Sequence, residues 1–305
     1  MKLYGVGNAV LHYREKSKLG QMQVCEGICN EMTMSRIETG EREFDSLISE
    51  TLLSRLGKTT NRFEFLLNDE DYYYYILREN IEKAVDAGEL ESAKAYIAEY
   101  RNNIPDTHEL HEQFLLFYEA MIMKAEDNAM KDIITHLYKS INLTRGDFLE
   151  PTQRLRLYSK FEIRIIYELL LYEEYSEESM GSLFRFIDEM YDIEEKAVVL
   201  VPFLYYYGKR YERDENWYEL KKTIEYAISY LQAGRTYSYI VEFHFMKMLA
   251  EFHLYKQTDN WEERRRKLVQ RCNEIYYMSM TIDDVEMMKK AEFFCKEQLN
   301  CQIIM

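Results

Sequence analysis

From residue 71 onward the chain punctuates itself at a nearly constant interval. Polar, turn-forming breaks occur at Gly88-Glu89, Asp127-Asn128, Tyr175-Ser176, Asn216 and Asn260. With Leu90, Met130, Tyr175, Trp217 and Trp261 as markers, the intervals are 40, 45, 42 and 44 residues. Each holds two helices of roughly four to five turns and two short connections. The repeating unit is therefore a helical hairpin, five in succession, with a terminal helix over residues 284–299. Only three prolines and 11 glycines occur in 305 residues, a shortage of breakers that suits long helices joined by short turns. Hydrophobic residues make up 47 %, enough for a sizeable core. No apolar run approaches the ~18 residues that a membrane-spanning helix requires. The N-terminus shows no apolar signal region, so the expected location is cytoplasmic.

Residues 10–42 are built differently. Val24 and Ile28, four apart, form one buried helical face. Gly27-Ile28-Cys29-Asn30 then interrupts the helix with turn formers. In a second helix Met34 and Ile37 face inward, while Met32, Thr33 and Arg36 stay free, and Gly40 stands where a left-handed terminating residue is needed. Val10 and Tyr13 give a preceding helix a narrow apolar edge. Three short helices sharing these residues predict a helix-turn-helix. A further helix over 44–56 carries Leu47, Ile48, Leu52 and Leu56 and stops at Gly57. Residues 58–62 read as a polar loop, with Phe63, Phe65, Leu66 and Leu67 as an apolar plug. The expected domains are 1–66 and 71–305.

On Gly7, Val10, Arg14, Gln21, Val24, Cys25, Ile28 and the run Ser35-Arg36-Ile37-Glu38-Thr39-Gly40, the N-terminal segment resembles the XRE-type helix-turn-helix. Its compact spacing from Cys25 to Ser35 is similar to that of the PlcR/Rgg-type (RRNPP) peptide-responsive regulators of bacteria. It departs from the pattern at Glu31, Met32 and Met34. Gly88-x-Leu90-x-x-Ala93 resembles the turn of tetratricopeptide (TPR) hairpins. These resemblances imply an all-α fold: a helix-turn-helix domain followed by a right-handed superhelix of TPR-like hairpins. They imply a transcriptional regulator that binds double-stranded DNA and responds to a short signalling peptide in the concave groove. By the docking geometry of the motif, Met32 and Thr33 face base edges while Gln21 and Arg36 grip phosphates.

In such stacks the first helix of each pair lines the groove, here 71–86, 107–125, 155–173, 195–212 and 236–256. The candidate ligand residues are Arg164, Tyr167, Tyr205, Lys209, Tyr239 and Glu242. Arg164, inside the apolar run Ile163-Arg164-Ile165-Ile166, either snorkels to solvent or anchors a carboxylate. Twenty-seven tyrosines can pack between helices or offer rings and hydroxyls to a peptide.

The net charge of −15 looks wrong for a DNA-binding protein until it is divided. Residues 1–66 contain nine basic and nine acidic residues, so the whole excess lies beyond them. An acidic body repels phosphate except at the N-terminal module, and favours a peptide carrying positive charge. One neutral module binds weakly, and a homodimer presenting two is the natural remedy.

Five cysteines without a Cys-x-x-Cys pair argue against a disulfide framework or a zinc cluster. Cys25 reads as a small core residue or as a redox switch. Six scattered histidines, among them His108 and His111, come without a metalloprotease motif. Since Gly5 and Gly7 follow no strand, they form no phosphate loop. No enzyme, metal or cofactor is expected. The rival reading is a protein-interaction scaffold whose groove holds a protein partner.

Overall fold

The computed structural model describes residues 5–42, 45–58, 69–103, 109–150, 154–173, 177–191, 193–234, 237 and 239–303. These are all-α, with no strand among the described residues. The expected plug of Phe63, Phe65, Leu66 and Leu67, the marker Tyr175 and His108 lie outside them.

Three short helices open the chain: α1 (Val6–Lys16), α2 (Gln21–Cys25) and α3 (Glu31–Thr39). They close around Val10, Leu19, Val24, Cys25, Met34 and Ile37, all buried. The turn between α2 and α3 departs from the expected helix through Ile28. Glu26 (φ −53°, ψ 127°) and Gly27 (φ +70°) form a type II-like turn that ends α2 at Cys25. Ile28 consequently lies beyond the helix, half-buried. Asn30 caps α3, its side chain accepting from the Thr33 amide at 2.8 Å. Gly40 ends it in the left-handed conformation. Next comes α4 (Ser46–Arg55), capped by Asp45, which accepts from the Ile48 amide at 2.8 Å.

The remaining helices are α5 (Asp69–Asp86), α6 (Leu90–Asn103), α7 (Glu109–Ala125), α8 (Met130–Arg145), α9 (Lys160–Leu170) and α10 (Glu177–Met190). They continue with α11 (Ile193–Arg213), α12 (Trp217–Gly234), α13 (Ile240–Tyr255), α14 (Trp261–Thr281) and α15 (Val285–Leu299). Leu90, Met130, Trp217 and Trp261 are each the first residue of a hairpin's second helix. Two helices are shorter than expected. The α9 helix starts at Lys160 instead of 155, because Ser159 and Glu162 form a reciprocal capping box. Ahead of it, Leu157 and Tyr158 are buried outside the helix. The α13 helix starts at Ile240, after Tyr239 in a left-handed conformation (φ +60°).

Contacts divide the chain into two compact units, Met1–Tyr191 and Asp192–Met305. This division falls far from the composition break at 58–70. In the first unit the helix-turn-helix packs directly on repeat helices: α4 touches both α7 and α9. The Asp71 carboxylate of α5 accepts from the Ser46 amide (3.1 Å) and hydroxyl (2.9 Å) at the start of α4. In the second unit α11 to α15 pack in sequence, with Val241, Met248, Phe252, Leu268, Cys272, Ile275 and Phe294 at the core. No helix among the described residues is long and apolar enough to cross a membrane.

Candidate functional site

The outward face of α3 carries three of the four residues expected at DNA, and Gln21 stands at the start of α2. Met32, in the first turn, is 67 % exposed, an unusual place for a large apolar side chain. Thr33 is half-exposed, and Arg42 Nη1 lies 3.4 Å from its hydroxyl. Arg36 is exposed, and no described residue pairs with its guanidinium. Behind this face Met34 and Ile37 are buried, and so is Glu38. Arg14 donates twice to the Glu38 carboxylate, at 2.5 and 2.9 Å. Gln21 donates to the same group at 2.7 Å. Gln21 is thus oriented by a carboxylate. These bonds hold α1 and α2 to the back of α3 and fix the angle at which it is presented.

A second feature escaped the sequence reading. Arg55, at the end of α4, is fully buried, and Glu162 of α9, 107 residues away, is its equally buried partner. Nη2 of Arg55 donates to Glu162 Oε1 at 2.5 Å and Nε to Oε2 at 3.3 Å. Its Nη1 donates to the carbonyls of Val24, in α2, and of Glu26, in the turn between α2 and α3. Burial disfavours both charges and pulls Arg55 below its ordinary value. For Glu162 burial alone would raise the carboxyl, but the fields of Arg55 and Arg145 outweigh it and hold it at about 2. Arg145 of α8 also reaches the turn, 2.9 Å from Glu26 Oε2. At Gly27 a Cβ would collide with the Thr144 carbonyl of α8. The turn of the motif is therefore seated on repeat helices. Arg55 could have been flagged only as a cation inside the apolar run Leu52-Leu53-Ser54-Arg55-Leu56, since nothing local names its partner.

Of the candidate ligand residues, Arg164 and Tyr167 belong to the first unit. Tyr167 is 4 % exposed, so its ring packs inward instead of lining a groove. Arg164 is exposed and lines a cleft of about 450 Å³ formed by α4, α5, α7 and α9. Its Nη1 donates to the Tyr118 hydroxyl at 2.9 Å, and the guanidinium lies over the Phe117 and Tyr118 rings. Tyr118 in turn donates to Glu82 at 2.8 Å. Glu50 and Arg78 face the same cleft, and burial pushes the Glu50 carboxyl up while Arg78 opposes it. The cleft thus offers both charges and the rings of Phe114 and Phe161.

In the second unit Tyr205, Lys209, Tyr239 and Glu242 do come together. The Tyr205 and Tyr239 rings stack 4.6 Å apart. Lys209 lies over the Tyr205 ring at 5.9 Å and is paired with Glu212 at 3.0 Å. Burial, with Glu242 next in weight, pushes the Tyr205 hydroxyl up to about 12. Both rings are half-buried, so one side of the stack meets solvent. No group of three His, Cys, Asp or Glu among the described residues could hold a metal ion.

No family model matches the chain, and no curated protein is similar to it in sequence. Solved structures do resemble it. The apo competence regulator ComR of Streptococcus vestibularis is 14 % identical with a TM-score of 0.48, covering 97 % of this chain and 98 % of its own. Bacillus thuringiensis PlcR, in complex with the peptide PapR7 and DNA, is 17 % identical with a TM-score of 0.47, covering 97 % and 99 %. A structure of PrgX is 15 % identical with a TM-score of 0.44, covering 97 % and 98 %. Over nearly its full length, and at low sequence identity, the chain is structurally similar to the RRNPP regulators ComR, PlcR and PrgX.

Proposed function

We propose that this chain is a sequence-specific DNA-binding transcriptional regulator in which α3 enters the major groove. The observation that carries the reading is the outer face of α3: exposed Met32, half-exposed Thr33 and unpaired Arg36 on a helix locked from behind. That combination exposes an apolar side chain and a cation where base edges and phosphates would lie. The division into a 1–66 DNA-binding domain and a 71–305 sensor domain belongs to the same reading. So does a homodimer on a near-palindromic site, because one neutral module gains too little from phosphates alone. The regulating ligand is a short peptide. Each unit offers a place for it taken by itself: in the first the cleft beside Arg164, with charge and rings, and in the second the Tyr205–Tyr239 stack with Lys209 and Glu242.

The test is binding to a promoter fragment selected from genomic DNA by the purified protein. Thr33→Ala changes sequence preference, at a cost of ~1–3 kcal/mol for a lost base contact. Arg36→Ala weakens all sites alike and flattens the salt dependence. Wild-type behaviour in both variants would mean that another helix enters the groove. Enrichment of a protein partner in place of any DNA fragment would favour the scaffold reading.

A further inference from the structure

We propose that Cys25 and Cys29 form a peroxide-reactive dithiol, closing into an intramolecular disulfide across the turn of the helix-turn-helix. The regulatory half of this proposal, weakened DNA binding on oxidation, rests on the proposed function. The chemical half does not.

Cys25 is the last residue of α2 and is fully buried, whereas Cys29 is half-buried and reaches solvent. Between them the Glu26-Gly27 turn folds the chain back, so that the Cys29 amide donates to the Cys25 carbonyl at 3.0 Å. A turn this tight keeps the two Cα atoms within the span a disulfide bridges. The Cys25 sulfur lies inside α2, 4.0 Å from the Met22 carbonyl oxygen, while Cys29 is the more accessible of the two. The neighbouring thiol and burial push the Cys25 thiol up. The Cys25 neighbour pulls the Cys29 thiol down, with Arg42 and Arg55 adding to the effect and burial opposing it. One sulfur is therefore an accessible nucleophile beside cations, and the other is a proton-bearing neighbour within reach. That is the arrangement of a peroxidatic and a resolving cysteine.

The reaction balances with hydrogen peroxide as oxidant. The Cys29 thiolate attacks one peroxide oxygen, an S–O bond forms as O–O breaks, and the departing hydroxide takes a proton to become water. Cys25 then loses its proton and attacks the Cys29 sulfur. The S–S bond forms as S–O breaks, and a second hydroxide leaves as water. The dithiol gives up two electrons and peroxide receives them.

Closure has a mechanical consequence at this position. Cys29 directly precedes Asn30, the cap of α3, while Arg55 holds the carbonyls of Val24 and Glu26 in place. Drawing Cys29 toward α2 thus pulls on the first turn of α3, where Met32 and Thr33 stand.

The full chain is treated with hydrogen peroxide at neutral pH and mapped by differential alkylation and mass spectrometry. The expected product is a Cys25–Cys29 disulfide, formed before any oxidation of half-exposed Cys301 and reversed by dithiothreitol. In Cys25→Ala, Cys29 stops at a sulfenic acid that dimedone traps. In Cys29→Ser, a change at a half-exposed position, Cys25 stays reduced. Absence of the 25–29 disulfide, or oxidation of Cys29 no faster than Cys301, overturns the proposal. The second readout is affinity for the selected promoter fragment. Oxidation weakens it about tenfold or more, the loss of one base contact, and Cys29→Ser abolishes that response. Disulfide formation with unchanged affinity overturns the regulatory half. A reduced protein that binds no DNA overturns the proposed function, while the mass readout still decides the dithiol.

Discussion

Replacing Glu162 with Gln would neutralise one half of the buried pair between α4 and α9 while keeping its shape. The amide oxygen can still accept from the Ser159 amide, so the capping box at the start of α9 survives. What is lost is the counter-charge of Arg55, a guanidinium with no exposed surface. Leaving a buried ion uncompensated costs about 3–5 kcal/mol. A second route gives a similar size. The Glu162 carboxyl is held at about 2 against an ordinary 4.5, and such a depression corresponds to ~3 kcal/mol of stability at neutral pH. The sign follows from the folded value lying below the unfolded one. The contribution is complete above pH ~4.5 and is lost progressively as pH falls toward ~2. Thermal denaturation followed by circular dichroism therefore shows Glu162→Gln melting well below wild type at pH 7, with the gap narrowing as pH drops below 4.5. The double variant Arg55→Met/Glu162→Gln, which leaves no lone charge, is more stable than Glu162→Gln alone. A loss under about 1 kcal/mol at pH 7, or a gap that does not narrow in acid, would refute the desolvated pair as the joint between module and repeats.

Gly27→Ala combines a left-handed backbone with a collision at the Thr144 carbonyl. It lowers stability by more than the ~1–2 kcal/mol of the backbone effect alone, and an unchanged urea midpoint would contradict the seating of the turn on α8. Asn30→Ala removes the cap of α3 and costs about 1 kcal/mol, read as faster amide exchange in the first turn of that helix. The intact protein at micromolar concentration sediments as a dimer in analytical ultracentrifugation, and a monomer there would count strongly against the two-fold model. Removing residues 284–305 strips α15 from a core that includes Met287, Phe294 and Leu299. That truncation raises dye binding to exposed apolar surface, and its absence would show that α15 is not a cap.

Local signals carried most of the fold. Gly40 and Gly57 have positive φ where the helices before them end, and four of the five repeat markers open a helix. Periodicity placed Val10, Val24, Met34 and Ile37 in one core, because those contacts recur at the helical repeat. Long-range pairing leaves no such trace. Arg55 and Glu162 read as an ordinary helix-terminal base and an ordinary helix-start acid, since each satisfies a local rule as well as the distant one. Tyr167 is buried for a related reason: residues 165–170 are covered on every side of the helix, so helical position alone did not set its ring on an open wall. The tyrosines differ in burial. Tyr100 and Tyr118 are buried with bonded hydroxyls, whereas Tyr205 and Tyr239 keep one side open.

The end of α4 has no slack. Gly57 stands where a Cβ would strike the Met190 carbonyl, the Tyr191 hydroxyl donates to Ser54 O at 3.3 Å, and the Lys160 amide donates to Ser54 Oγ at 2.7 Å. A module swinging on a flexible tether would accept operators with spacers of many lengths, because a random coil samples a broad range of spans. On the proposed function, α3 would act as one jaw of a fixed caliper. For a dimer of such chains on DNA, each inserted base pair would move the second half-site by about 3.4 Å and turn it by roughly 35° around the duplex. Neither displacement can be absorbed by the joint. Tolerance to spacer length is then set by the twist of the DNA and by rearrangement of whole helices, and a single inserted base pair becomes as damaging as a mutated base.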